Sequence, residues 1–72
     1  MEIKYKSKIN GEFYGWAGDT IFQLMNGTLW KQYKYEYRYT YMYCPNAKIW
    51  KDGSKYYLDV DGMNKMLQVV KI

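Results

Sequence analysis

Tyr33-Lys34-Tyr35-Glu36-Tyr37-Arg38-Tyr39-Thr40-Tyr41-Met42-Tyr43 places a tyrosine at every second position. Successive side chains of an extended chain point to opposite faces, so strict alternation marks a β-strand with all six rings on one side. Lys34, Glu36, Arg38, Thr40 and Met42 fill the other side, which is polar and of mixed charge. The tyrosine side is the apolar one, and the default expectation is that it covers the core. Six phenols cannot all sit deep, because each buried hydroxyl needs a hydrogen-bond partner. The middle of the ladder is therefore expected to pack inward, and an end to stay open.

Upstream, the pattern extends back to Leu29. A straight strand from Leu29 to Tyr43 would span roughly 50 Å at about 3.3 Å per residue. A domain of this length has a radius of gyration of about 11 Å. The segment must bend, and Trp30 is out of phase with the tyrosines, so a bulge or kink is expected near Trp30 to Gln32. Downstream, Pro45 ends the strand because it has no N–H for a ladder.

Around this segment the chain reads as strands and turns. Asn10-Gly11, Asn26-Gly27, Asp52-Gly53 and Asp61-Gly62 are turn dipeptides that tolerate positive φ, and Gly18-Asp19 is a fifth candidate. Strands are expected over Ile3–Ile9, Phe13–Ala17, Thr20–Met25, Ala47–Lys51, Lys55–Val60 and Met66–Ile72, with a short 3₁₀ turn at Asn64 and Lys65. In the first, Ile3, Tyr5 and Ile9 share a face, while Lys4, Lys6 and Lys8 share the other and protect an edge. Gly15 inside the second signals a bulge or a close backbone approach. A two-residue loop at Asn26-Gly27 would set Leu24 opposite Leu29. Ile49, Tyr56, Leu58 and Val60 are expected inside. Turn signals every 8 to 12 residues point to an all-β, antiparallel, partly open barrel of SH3-like type. An OB-like barrel and an open meander are the alternatives. The 72 residues form one domain, 1–72.

Composition excludes much chemistry. There is no His, and the one Cys is Cys44. The commonest general base and metal ligand is missing, and no cofactor, metal or catalytic constellation is expected. One thiol makes no intramolecular disulfide, which points to a reducing, cytoplasmic setting. No apolar run reaches the roughly 20 residues of a membrane helix, and no signal-peptide pattern opens the chain. The reading is a non-enzyme.

What remains is a surface. The chain is 21% aromatic and carries a formal net charge of +4. An aromatic row flanked by cations can stack bases and meet phosphates. The expected contact residues are Trp30, Tyr33, Lys34, Tyr35, Tyr37, Arg38, Tyr39 and Tyr41. Single-stranded nucleic acid is the first partner this suggests. The alternative is a protein-interaction or self-association module, including a homodimer, that uses a strand edge or the tyrosine patch.

Gly11-Glu12-Phe13-Tyr14-Gly15-Trp16, Asn26-Gly27 with Trp30, the alternating tyrosines leading to Pro45, and Val60-Asp61-Gly62 resemble a family of small bacterial tyrosine-rich β domains of uncharacterised function. The Tyr-x-Tyr-x-Tyr run into Pro is the specific part. The resemblance implies a small β fold, alone or appended to larger chains, and transfers no catalytic residues.

Overall fold

The computed structural model describes residues 1–72 as eight antiparallel strands and no helix: β1 Glu2–Lys8, β2 Glu12–Gly18, β3 Ile21–Gln23, β4 Leu29–Gln32, β5 Glu36–Tyr43, β6 Asn46–Asp52, β7 Lys55–Val60 and β8 Leu67–Lys71. The all-β antiparallel expectation is met. Six strands form one sheet in the order β1-β6-β7-β8-β4-β3, and β2 pairs with β5 in a separate two-stranded ribbon. The sheets are not closed into a barrel. The two edges of the large sheet meet at one corner, through the bridge between Ile9 and Leu24 and the bonds Asn10 N–H to Gln23 O (2.9 Å) and Met25 N–H to Lys8 O (2.8 Å).

The core fills the space between the large sheet and the ribbon. The sheet contributes Phe22, Trp30, Ile49, Leu58, Val60, Leu67 and Val69, and the ribbon contributes Phe13 and Trp16. The Phe13, Trp16 and Phe22 rings lie 5.6 to 6.1 Å apart and meet edge-on or tilted. Such arrangements suit the ring quadrupole. Tyr5 and Tyr56 pack on Trp30 from the partly buried margin, at 6.1 and 5.1 Å. In β1 the inward row is Tyr5 and Ser7; Ile3, expected on the face of Tyr5, is exposed beyond a register shift between Ile3 and Tyr5, and Lys4, Lys6 and Lys8 are exposed on a strand that pairs only with β6.

Four expectations need correction. First, the long strand is two strands. Its continuity breaks at Tyr33–Tyr35, immediately past the expected kink, so that β4 belongs to the large sheet and β5 to the ribbon. Second, no part of the tyrosine row packs inward. All six ladder tyrosines are 50 to 79% exposed, and the inward positions of β5 are Thr40 and Met42. Alternation separates two faces but does not say which is inside. Here Phe13 and Trp16 of β2 already fill the ribbon's share of the core. Third, the Asn26-Gly27 hairpin pairs Gln23 with Leu29, one residue out of the expected register. Its loop is longer because Asn26 Oδ1 accepts bonds from the Thr28 N–H (3.0 Å) and hydroxyl (2.6 Å), and Gly27 at φ 89° donates its N–H to Leu24 O. Fourth, Asn64 and Lys65 form a bend, with no 3₁₀ turn.

Candidate binding face

The outer row of β5 is Tyr37, Tyr39, Tyr41 and Tyr43, each exposed. At about 3.4 Å per residue, neighbouring rings on this row are rooted about 7 Å apart. β2 runs beside them with a register shift between Phe13 and Gly15: Phe13 pairs with Met42, but Gly15 pairs with Tyr39. One β2 residue, Tyr14, therefore spans two on β5. Gly15 takes up the shift at φ 85°, and a Cβ there would overlap the Arg38 carbonyl oxygen. The shift lets β2 bury both Phe13 and Trp16 while Tyr14 turns outward beside the row.

Tyr14 and Tyr41 meet at 5.5 Å with their planes 52° apart. Both hydroxyls donate to Glu12, Tyr14 to Oε2 at 2.6 Å and Tyr41 to Oε1 at 3.4 Å. Both phenols are held above the ordinary tyrosine pKa. For Tyr14 the main cause is the hydrogen bond to Glu12. For Tyr41 it is partial loss of hydration, followed by the charge of Glu12.

The start of the ladder is fixed by Gln32, which is buried although polar. Its Oε1 accepts the N–H groups of Ala17 and Thr20, each at 3.2 Å, and its Nε2 donates to Lys34 O (3.3 Å) and Glu36 O (3.2 Å). All four hydrogen-bonding positions of the amide are used. This ties the β2–β3 turn to the β4–β5 connection. Tyr35 lies across Gly18, where any Cβ would overlap its ring.

The expected contact residues are divided by this arrangement. Tyr37, Tyr39 and Tyr41 stand together on the ribbon, and Tyr35 is exposed at its entry. Lys34 and Arg38 are exposed cations of the same segment. Tyr33 leaves the row, because its N–H is bonded to Gln68 O on β8 (3.0 Å). Trp30 takes no part. It is 0% exposed, and its indole N–H donates to Thr28 Oγ1 at 2.9 Å. Its β4 position points into the core, in phase with the buried Gln32.

Sequence reasoning omitted Glu12, Tyr14 and Tyr43 from the face. The aromatic beside Gly15 carried the signal for Tyr14, since a bulge re-aims a side chain. Nowhere do three His, Cys, Asp or Glu side chains come together as metal ligands. No helix is long and apolar enough to cross a membrane. No family model matches the chain, and no curated protein or solved structure matches it either.

Proposed function

We propose that this chain is a non-enzymatic binding module whose contact surface is the tyrosine face of the β2–β5 ribbon, and that its partner is a single-stranded nucleic acid. One observation carries the reading: Tyr35, Tyr37, Tyr39, Tyr41 and Tyr43 are 50 to 79% exposed while a complete core is built from other residues. A contiguous aromatic surface left open to water favours association, and folding does not require it. Rings rooted about 7 Å apart along an extended strand suit successive unstacked bases. Arg38 alternates onto the side away from the rings, in register with Trp16, so it and Lys34 act from the margin of the row, and with a net charge of +4 they supply long-range attraction for phosphates. A single thiol, Cys44, suits a reducing, cytoplasmic setting.

Fluorescence anisotropy of a labelled oligonucleotide at two salt concentrations tests this. Binding that weakens as salt rises is the expected result. No binding, or binding indifferent to salt, overturns it.

A second reading has its own support. The ionised side chain set among the outward tyrosines is an acid, Glu12, bonded to Tyr14 and Tyr41. A carboxylate repels phosphate but accepts hydrogen bonds from another protein, or from a second copy of this chain. Sedimentation discriminates: a dimer that protects the tyrosines supports self-association, and a monomer removes it.

A further inference from the structure

A second groove lies away from the ribbon, and its chemistry differs from that of the tyrosine face. Its volume is about 490 Å³, and Tyr33, Ser54, Lys55, Tyr56, Gln68 and Lys71 line it. Two aromatic rings and two lysines converge there with no carboxylate in the lining. Each wall has a local cause. The Gly53-Ser54 turn between Asp52 and Lys55 brings the start of β7 to the groove. The Tyr33 N–H bond to Gln68 O holds Tyr33 against β8. Tyr56 is half-buried against the Trp30 ring, with centroids 5.1 Å apart and planes inclined at 55°. Lys51, opposite Tyr56 in the β6–β7 register, places its ammonium 5.9 Å from the Tyr56 ring.

These cations are not neutralised within the protein. The one ion pair in the molecule joins Lys65 to Glu36. Asp52 faces Lys55 across the hairpin without pairing with it. Lys51, Lys55 and Lys71 thus leave a local excess of positive charge around two aromatic rings. A ligand that satisfies both features carries a flat ring and an anionic group. The volume falls within the range of small-molecule sites.

We propose that this groove binds an aromatic anion of the mononucleotide class, with its ring against Tyr33 and Tyr56 and its phosphate between Lys55 and Lys71. The site shares no residue with the Glu12, Tyr14 and Tyr37–Tyr43 face. It stands whether or not that face binds a strand. A free nucleotide and the phosphorylated end of a nucleic acid present the same chemistry.

NMR titration of the labelled full chain with adenosine 5′-monophosphate tests the site. The Tyr33, Gln68 and Val69 amides and the Tyr56 ring should shift, while Tyr39 and Tyr41 stay in place. Adenosine alone and inorganic phosphate alone should each bind about fivefold or more weakly, since each offers only half of the recognised features. Lys55→Gln with Lys71→Gln, and separately Tyr33→Ser, should each weaken the nucleotide by about fivefold or more. These side chains are exposed, so the variants fold, and an unchanged spectrum outside the groove verifies it. A 5′-phosphorylated oligonucleotide that shifts the same groove signals at lower concentration assigns the source to nucleic acid. An oligonucleotide no better than the nucleotide assigns it to the free molecule. Either result upholds the groove. Groove signals that do not move, adenosine equal to the nucleotide, or a lysine double variant that binds like the parent would overturn it. The ladder proposal is scored separately, on Tyr39 and Tyr41.

Discussion

Gly15 on β2 and Arg38 on β5 approach so closely that a single methyl group on Gly15 would overlap the Arg38 carbonyl oxygen. The contact lies at the register shift that turns Tyr14 outward and keeps Phe13 and Trp16 both inside. Without it, β2 would keep strict alternation, and one of its two core aromatics would face water.

Gly15→Ala should therefore cost about 2–4 kcal/mol, combining a disfavoured backbone conformation with backbone overlap. Gly53→Ala is the control. Its φ is also positive at 64°, but nothing lies within 4 Å of the added methyl. The control should lose only the conformational part, about 1–2 kcal/mol. Urea denaturation of the two variants measures the difference, and equal losses would contradict the role given to Arg38.

Gln32 offers a second test of how the ladder is held. Gln32→Leu keeps the volume roughly constant but deprives Thr20 N–H, Lys34 O and Glu36 O of their amide partner. The cost should be about 2–4 kcal/mol. Gln32→Glu should be at least as damaging at neutral pH, because a carboxylate would place acceptors against two carbonyl oxygens. Thermal unfolding of both variants reports this, and a stable Gln32→Glu would refute the network.

The two buried tryptophans make opposite use of their N–H groups. Trp30 donates to Thr28 Oγ1, whereas Trp16 Nε1 is buried without a partner. Trp30→Phe loses packing and the hydrogen bond to Thr28 Oγ1. Trp16→Phe loses packing but removes an unpaired donor, a group that costs about 1–3 kcal/mol to bury. Trp30→Phe should thus be more destabilising by about 1 kcal/mol or more. The reverse order in denaturant midpoints would contradict this.

Alkaline titration probes the Glu12 cluster. Tyr14 and Tyr41 have raised pKa values in the folded chain. For such a group the stability contribution is complete below the unfolded value of about 10 and is lost as pH rises through the folded value. Absorbance at alkaline pH should therefore show Tyr14 and Tyr41 ionising above the ordinary tyrosine value. Glu12→Gln, which removes the carboxylate charge, should bring both back toward the ordinary range. No change in that variant would show that Glu12 does not set them.

Much of the fold was legible in the residues, and the misses have a common cause. Local rules read correctly: the Lys4, Lys6, Lys8 edge, the inward Ile49, Leu58 and Val60, and the special backbone at Gly15. Each depends on two to five consecutive residues. The orientation of the ladder depends on what else fills the core. Only the assembled structure shows Phe13 and Trp16 taking that space, and Trp30 drawn inside with them. Nothing in the residues beside Gln32 sets it apart. Its role comes from the Ala17 and Thr20 amides, 15 and 12 residues away in the chain.

The central claim is that the outward tyrosines are a contact surface, and solvent paramagnetic relaxation of individual ring protons tests it most directly, measured with and without a single-stranded oligonucleotide. In the free chain the Tyr37, Tyr39, Tyr41 and Tyr43 rings should relax fast and the Trp30 and Phe13 rings slowly. In the complex the four tyrosines should become protected, and replacing Tyr39 or Tyr41 by Ser should weaken binding by about 1–3 kcal/mol each while shifting stability by less than about 1 kcal/mol. Tyrosine rings already protected in the monomeric free chain, or equally exposed in the presence of the oligonucleotide, would contradict the account.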